Sequence, residues 1–263
     1  MRSVNMNIYK EKAKVLAQRE IAEGIYDMTL SFPAGAGAAR PGQFIAMYCN
    51  DASRLLPRPI SICEVDQAAG TLRVVYRIAG DGTAEFSALS AGDWLEVMGP
   101  LGNGFTHREG RAILIGGGIG IPPMLALAKS LPGEKTVVLG YRDELFLKEE
   151  FDQIEGVTEV AVATESGRTG TKGTVLDALA EQKITGDVIY ACGPLPMLQA
   201  VAAYALEHDM EAQISLEERM ACGIGACLGC ITKTKNRDSH TNVHNKRICK
   251  DGPVFDAKEV DFS

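Results

Sequence analysis

No window of this 263-residue sequence approaches the run of about 18 apolar residues that a membrane span requires. The opening MRSVNMNIYKEKAKV also lacks the apolar centre of a secretory leader. Histidine is scarce. His107, His208, His240 and His244 form no evident triad and read as surface or loop residues, and no acid–base pair or activated nucleophile stands out. Internal repeats and low-complexity tracts are missing too. Lysine and arginine number 27 against 34 acidic residues, and the net charge of −7 makes nucleic acid or an anionic membrane a poor general partner. The expectation is a cytoplasmic protein without nucleic-acid or membrane partners. In that compartment thiols stay reduced, and an odd count of seven cysteines would leave any disulfide framework incomplete.

What is present divides the chain by rhythm. From about Lys10 to Met98 the runs AKVLAQREI, YDMTLSF, GQFIAMYC, RPISICEV, TLRVVYRI and DWLEVMG are short and rich in β-formers. Turn-like PAGAGAARPG, NDASRLLP and DQAAG separate them, which predicts a small antiparallel barrel, with GTAEFSAL (Gly82 to Leu89) as its one short helix. From Arg111, strand cores RAILIGGG, KTVVLGYRD, TEVAVATE and GDVIYACGP alternate with helical PPMLALAKSL, LFLKEEFDQI, TVLDALAEQ and PMLQAVAAYALEHD. That alternation predicts a parallel sheet covered on both faces. The last segment, cysteine- and glycine-rich and then basic, reads as an appendage organised by something other than a core. The expected domains are 8–104, 105–214 and 215–263.

Each part carries a candidate site. LIGGGIGIPPM places Gly116, Gly117, Gly118 and Gly120 between a strand and a helix, where backbone can approach a pyrophosphate and the helix start favours an anion. It reads GxGxxP, not the usual GxGxxG. ACGPLPML brings Cys192, Gly193 and Pro194 to the end of another strand of the same sheet, the side where open parallel sheets bind ligands. The bland alternatives are a tight turn and a small buried cysteine. In the barrel, RPISIC offers the Arg58 fork and the Ser61 hydroxyl, and YRIAGDGTAEF leads Gly80, Gly82 and Thr83 into a helix start.

RPIS, GGGIGIPPM and ACGPLPM, in this order, resemble the ferredoxin reductase superfamily over nearly the whole chain. The resemblance implies an FAD-binding antiparallel barrel followed by an α/β domain for a nicotinamide nucleotide. By it, Arg58, Pro59, Ile60, Ser61, Val75, Tyr76, Arg77, Gly82 and Thr83 would meet the flavin, and Gly116, Gly117, Gly118, Gly120, Cys192, Gly193 and Pro194 the nucleotide.

MACGIGACLGC and the later RICKDG set Cys222, Cys227, Cys230 and Cys249 at C-x4-C-x2-C-x18-C. One triplet and a distant singleton is plant-type [2Fe–2S] spacing, whereas a four-cysteine zinc ribbon shows two close pairs. Gly223, Gly225 and Gly229 would let the loop wrap tightly with backbone N–H groups aimed at the sulfurs. LEERMACGIGACLGC with RICKDGPVFDAKEV resembles, more narrowly, the electron-transfer subunits of NAD-dependent (class 1B) bacterial dihydroorotate dehydrogenases. That resemblance implies FAD, a [2Fe–2S] cluster and NAD as cofactors. It implies a separate FMN-containing catalytic subunit that oxidises dihydroorotate in pyrimidine synthesis, two of each forming a heterotetramer. Electrons would pass from FMN to cluster to FAD to NAD+, with the cofactors rather than side chains doing the chemistry.

Two other readings stand beside it. One is the reductase subunit of another NAD(P)H-linked ferredoxin or sulfide complex. The other is a zinc-stabilised binding module without redox activity. In ATESGRTGTKG, Glu165 suits a free ribose whereas Arg168 and Lys172 would accept a 2′-phosphate, so NAD over NADP rests on the resemblance. Lys233, Lys235, Arg237, Lys246, Arg247 and Lys250 form a basic tract near the cysteines, either a solvated loop or a docking face for the partner.

Overall fold

The structure, a computed structural model, describes residues 7–238 and 242–263, so His240 lies outside the described residues. Alternation of apolar and polar residues builds the first unit. In Tyr9–Ala22 (β1), Ala13 and Val15 are buried while Lys12 and Lys14 face water. Ile25–Ser31 (β2), Phe44–Met47 (β3), Arg58–Asp66 (β4), Thr71–Arg77 (β5) and Trp94–Leu101 (β6) join it in a closed barrel of order β1-β2-β5-β4-β3-β6, antiparallel throughout. Met28, Leu30, Ile45, Met47, Leu72 and Val97 are among the side chains that fill it. Two short helices serve the barrel, not one: Pro33–Ala38 (α1) occupies the stretch read as a turn, and Asp81–Ser87 (α2) is the expected one. Proline at the start presets α1, and Gly35 has no Cβ where the Phe32 ring lies. From α2, Phe86 enters the barrel and meets the Tyr76 ring edge-on at 6.2 Å.

The second unit alternates Ala112–Gly117 (β7), Ile121–Ser130 (α3), Lys135–Tyr141 (β8), Lys148–Asp152 (α4), Val157–Thr164 (β9), Thr171–Lys172 (β10), Val175–Glu181 (α5), Val188–Cys192 (β11), Leu195–Glu207 (α6) and Glu211–Ser215 (β12). The strands run parallel in the order β10-β9-β8-β7-β11-β12. Neighbouring strand residues point to opposite faces. Leu114 packs with α3 and α4, while Ile113 and Ile115 pack with α5 and α6. Three elements depart from expectation. α4 is only five residues long, begun after Leu147 in the left-handed region at φ 61°, and β10 and β12 extend the sheet beyond the four strand cores read from sequence.

The last segment is less of an appendage than its composition implies. Ile231–Lys233 (β13) and Asn245–Arg247 (β14) make a hairpin, and Val254–Asp256 (β15) returns antiparallel to β12 as the edge of the large sheet. Cys230, Ile248, Cys249, Phe255 and Val260 share one buried cluster with Phe44, Met98 and Leu101 of the barrel and with α6.

An ion cluster pins barrel to sheet domain. The Arg73 guanidinium on β5 donates to Asp27 at 2.8 and 2.9 Å and to Glu150 of α4 at 2.6 and 2.7 Å. Glu64 joins them at 3.2 Å and is itself paired with Lys129 of α3. Arg73 holds the Glu150 carboxyl below its ordinary 4.5, and Glu150 in turn keeps Arg73 protonated. Asp27 is buried, so removing Arg73 leaves its carboxylate only the longer 3.4 Å contact with the exposed Arg19. Arg73→Met is expected to cost about 3 kcal/mol in chemical denaturation at neutral pH. Because Glu150 is depressed, its contribution is present above 4.5 and is lost as pH falls through the lower folded value. The variant should therefore lose less stability than the parent below that pH.

Candidate functional site

A closed barrel pairs every strand edge, yet one ladder here stops early. β4 and β5 pair from Asp66↔Thr71 to Ile62↔Val74, with a register break at Cys63, and no further. Beyond that point Arg58–Ser61 pair only with β3, and Val75–Arg77 only with β2. Two strand segments thus border a split with their mutual ladder unmade, which offers backbone donors and acceptors to a flat polar ligand. Arg58, Pro59, Ile60 and Ser61 are half-buried along one lip.

The other lip is mixed. Arg77 is exposed, but Val75 packs toward the sheet domain, and Tyr76 is sunk in the barrel with its hydroxyl donating to Gln18 Oε1 at 2.8 Å. Burial pushes the Tyr76 phenol well above its ordinary value, so it stays neutral. What Val75 and Tyr76 offer a ligand is backbone. Gly82 sits directly under the Arg58 guanidinium, where a Cβ would collide with it. The Thr83 hydroxyl is buried and occupied: it accepts from the N–H groups of Ala79 (2.8 Å) and Gly80 (3.2 Å) and donates to Gly80 O. Its job is to shape the 79–82 turn below Arg58. The fork of Arg58 with the α2 start can receive an anion.

The glycine turn lies at the sheet's switch point. β7 pairs with β8 on one side and β11 on the other, so the chain order reverses between β7 and β11, and their C-terminal ends open side by side. Gly116 and Cys192 are register partners. Gly118 takes φ 52°, and the Arg77 guanidinium reaches within 4.0 Å of where its Cβ would stand. Gly120 and Gly117 answer to packing: a Cβ on Gly120 would strike the Cys192 carbonyl, and one on Gly117 would strike Met197 Sδ. Gly193 lies against Gly117 Cα, 3.2 Å from its own virtual Cβ. Pro194 is exposed beside them, and burial pushes the Cys192 thiol up to about 12, so it is neutral. Glu165 and Arg168 are exposed in the turn after β9, and Lys172 is exposed on β10.

The four late cysteines come together as two pairs. The Cys227 N–H reaches the Cys222 sulfur, and the Cys249 N–H reaches the Cys230 sulfur. Backbone N–H groups of Ala226 (3.3 Å) and Cys227 (3.4 Å) point at Cys222 Sγ, that of Gly229 at Cys227 Sγ (3.4 Å) and that of Cys249 at Cys230 Sγ (3.4 Å). Burial raises the Cys222 thiol, but these donors outweigh it and bring it down to about 6, whereas burial and the neighbouring Cys230 push Cys249 up to about 12. Among the described residues no three Cys, His, Asp or Glu side chains converge as they would on one ion. Backbone N–H groups aimed at the sulfurs fit an iron–sulfur cluster, whose ligand sulfurs accept such bonds.

The three places adjoin. A Cβ on Gly223 of the cysteine loop would lie 3.7 Å from Met98 and 3.4 Å from Leu101 of β6. Met98 is in register with Ala46 of β3, and Ala46 with Pro59 of β4. Only β3 therefore stands between β6 and the lip of the split, two strand spacings or about 10 Å. His107, His208 and His244 are exposed and apart. Of the basic tract, Lys246 is paired with Glu259 and Arg247 with Asp251 within the chain. Beside the exposed Cys227 in the chain lie Ile224 and Leu228, and Ile231 follows Cys230; each of the three apolar side chains is about half exposed or more. Sequence reasoning passed over that rim, although the alternation of apolar residues with cysteines and glycines carries it.

Comparison with known proteins agrees with this geometry. The family model described as the iron-sulfur cluster binding domain of dihydroorotate dehydrogenase B matches residues 217–261, and that of the oxidoreductase NAD-binding domain matches 114–203. The chain is 43% identical over 256 residues to the dihydroorotate dehydrogenase B (NAD(+)) electron transfer subunit of Caldanaerobacter subterraneus, covering 97% of this chain and 99% of that one. It is 44% identical over 253 residues to the subunit of the same name from Listeria monocytogenes, covering 94% and 97%. Among solved structures, an NADH-dependent reduced ferredoxin-NADP oxidoreductase superposes with a TM-score of 0.85 at 30% identity, over 95% of this chain and 90% of that one. A ferredoxin reductase of carbazole 1,9a-dioxygenase shares the fold at a TM-score of 0.65 and 21% identity, over 78% and 68%.

Gly120→Ala forces the two strand-end turns apart at backbone, not at a flexible side-chain tip. It is expected to cost about 1–3 kcal/mol by thermal melting. Gly37→Ala, where nothing lies within 4 Å, should leave the melt unchanged or slightly raised.

Proposed function

The chain belongs to the family of dihydroorotate dehydrogenase B electron transfer subunits, and on that premise we propose that it passes electrons from a catalytic partner to NAD+. The partner is an FMN-containing subunit that oxidises dihydroorotate to orotate in pyrimidine synthesis, and two of each chain assemble as a heterotetramer in the cytoplasm. When bound, the [2Fe–2S] cluster carries electrons singly and FAD gathers them into the pair that NAD+ takes as hydride. The observation that carries this reading is the row Gly223–Met98–Ala46–Pro59, which brings the cysteine loop to within two strand spacings of the split.

Each part of the chain then has a task. Cys222, Cys227, Cys230 and Cys249 hold the irons, with Cys227 at the surface where electrons enter and Cys230 and Cys249 buried against the barrel. The unmade ladder of Arg58–Ser61 and Val75–Arg77 receives the flavin ring by backbone bonds, and Arg58 over Gly82 neutralises its phosphates. Gly116–Gly120 and Cys192–Pro194 accept the nicotinamide nucleotide at the switch point. Arg77, at the junction of split and glycine turn, bridges the two ligands. The exposed Glu165 serves the adenosine ribose of NAD. No side chain is asked to move a proton: the neutral Cys192 and Tyr76 fit that passive role.

The first test is a visible spectrum of the purified protein, before and after anaerobic titration with NADH, together with iron and zinc analysis. Flavin and iron-linked bands that bleach, with about two irons per chain, are expected. A colourless protein containing zinc would overturn the reading. Addition of the FMN-containing partner should then confer dihydroorotate-dependent reduction of NAD+, and its failure with a fully coloured protein would point to a different partner complex.

Docking follows from the apolar rim. Because Lys246 and Arg247 are consumed internally, reversing their charge would perturb folding before it perturbed association. Ile231→Asp places a carboxylate in the rim and is expected to weaken binding of the catalytic subunit at least about tenfold, read by sedimentation or calorimetry. Unchanged binding would place the partner elsewhere.

A further inference from the structure

Arg247 stands one turn away from the cysteines and is spent on two different partners. Its Nε and Nη2 donate to the two carboxylate oxygens of Asp251 at 3.0 and 3.2 Å, and the Arg247 backbone N–H donates to the same carboxylate at 2.8 Å. That grip leaves Nη1, which donates to the carbonyl oxygen of Gly225 at 3.2 Å. The carbonyl belongs to the Gly225–Ala226 peptide, and the N–H at the other end of that peptide is the one that donates to Cys222 Sγ at 3.3 Å. Guanidinium, peptide and thiolate sulfur are therefore in series.

The series has a direction. A cation on an amide oxygen polarises the amide and makes its N–H a stronger donor. A stronger N–H···S bond favours the more electron-rich, reduced state of an iron–sulfur cluster and raises its potential. The peptide is also fixed in place. Gly225 takes φ 84°, and a Cβ there would stand 2.6 Å from the Lys250 side chain, so the backbone lies flat against the turn that Arg247 and Asp251 close. Lys246, the neighbouring cation, goes instead to Glu259 and does not enter the series.

Resting on the [2Fe–2S] reading above, we propose that Arg247 is a positioning residue that raises the cluster's reduction potential through the Gly225–Ala226 peptide. The step it governs is the addition of one electron to the oxidised cluster, with no bond made or broken. Asp251 is its counterweight: it orients the fork and withdraws part of the charge.

The experiment is a dithionite titration of the whole complex with redox mediators, followed by the electron paramagnetic resonance of the reduced cluster. Parent, Arg247→Met, Arg247→Lys and Asp251→Asn are compared, with iron content measured on each. Arg247→Met should shift the reduction equilibrium at least about threefold against reduction, ~28 mV for a one-electron couple. Arg247→Lys, which keeps a cation for the Gly225 carbonyl, should recover part of the shift. Asp251→Asn unmasks the charge and should move the potential the opposite way. A brace with no electrical role would loosen the loop in both Arg247→Met and Asp251→Asn and shift them in the same direction. That result, or a shift in Arg247→Met below threefold, overturns the proposal. Should Arg247→Met fail to retain iron, the opposed signs of Arg247→Lys and Asp251→Asn decide it. A parent without the cluster signal would instead refute the [2Fe–2S] reading on which the proposal rests.

Discussion

A barrel normally abolishes strand edges, and the arrangement of this protein turns on a place where it does not. β4 and β5 stop pairing after Ile62 and Val74, next to the register break at Cys63. Four residues on one side and three on the other are then left without each other. Backbone groups that forgo a ladder must be satisfied by something else. The split thus leaves main-chain groups open to a ligand, and the glycine turn and the cysteine loop both lie near it. Gly118 comes near it through Arg77. The cysteine loop comes near it through β6 and β3.

Holding those neighbours in place requires two different kinds of contact. On one side the sheet domain is fixed to the barrel by a charged cluster centred on Arg73, with Val75 and Cys63 packed beside it. Charged contacts fix orientation at the expense of desolvation, so their value lies in specificity as much as in stability. On the other side the cysteine segment is welded by apolar burial: Cys230, Cys249, Phe255 and Val260 sit in one core with Phe44 and Leu101, and Asn103 ties the 250–252 turn with bonds to Lys250 O and Asp251 O. An electron path tolerates little variation in distance, and an apolar weld with β15 paired into the sheet allows little.

Much of this was legible in the sequence because it is carried by local periodicity and by residue types with few alternative uses. Alternation in β1 and β5 announced the barrel, and the change to strand–helix rhythm at Arg111 announced the parallel sheet. The cysteine spacing announced two irons, since ligand spacing is itself a distance constraint. The parts that were not legible are those set by tertiary contact. PAGAGAARPG has a turn's composition, yet it coils into α1 because Phe32 needs a cover. Val254–Asp256 is too short to declare itself a strand, and it becomes one by finding the free edge of β12. The resemblance places Tyr76 at the flavin without saying which way its ring turns, and the period of two sends that ring into the barrel against Phe86 and Gln18. The basic tract illustrates the same limit in reverse: cations that look alike in sequence take different partners, Lys246 an ion pair with Glu259, Arg247 a fork on Asp251 and Gly225, Lys233 the Ser263 carbonyl and Arg237 the His244 ring.

That separation bears on how a cluster site is tuned. Cys227 is exposed with the half-exposed apolar Ile224 and Leu228 beside it in the chain, and a partner covering them would lower the local dielectric. In that setting the N–H groups of Ala226, Cys227, Gly229 and Cys249 become the main stabilising charges around the sulfurs. Their strength depends on what grips the other ends of their peptides. Only backbone can supply so many donors in so small a loop, and glycine eases the path, with φ 70° at Gly223 and 84° at Gly225, while Leu228 is held at φ 58°. The glycines of the cysteine motif thus belong to its electrostatics as much as to its shape: without them the peptides could not turn their N–H groups inward and their carbonyls outward to reach a residue such as Arg247.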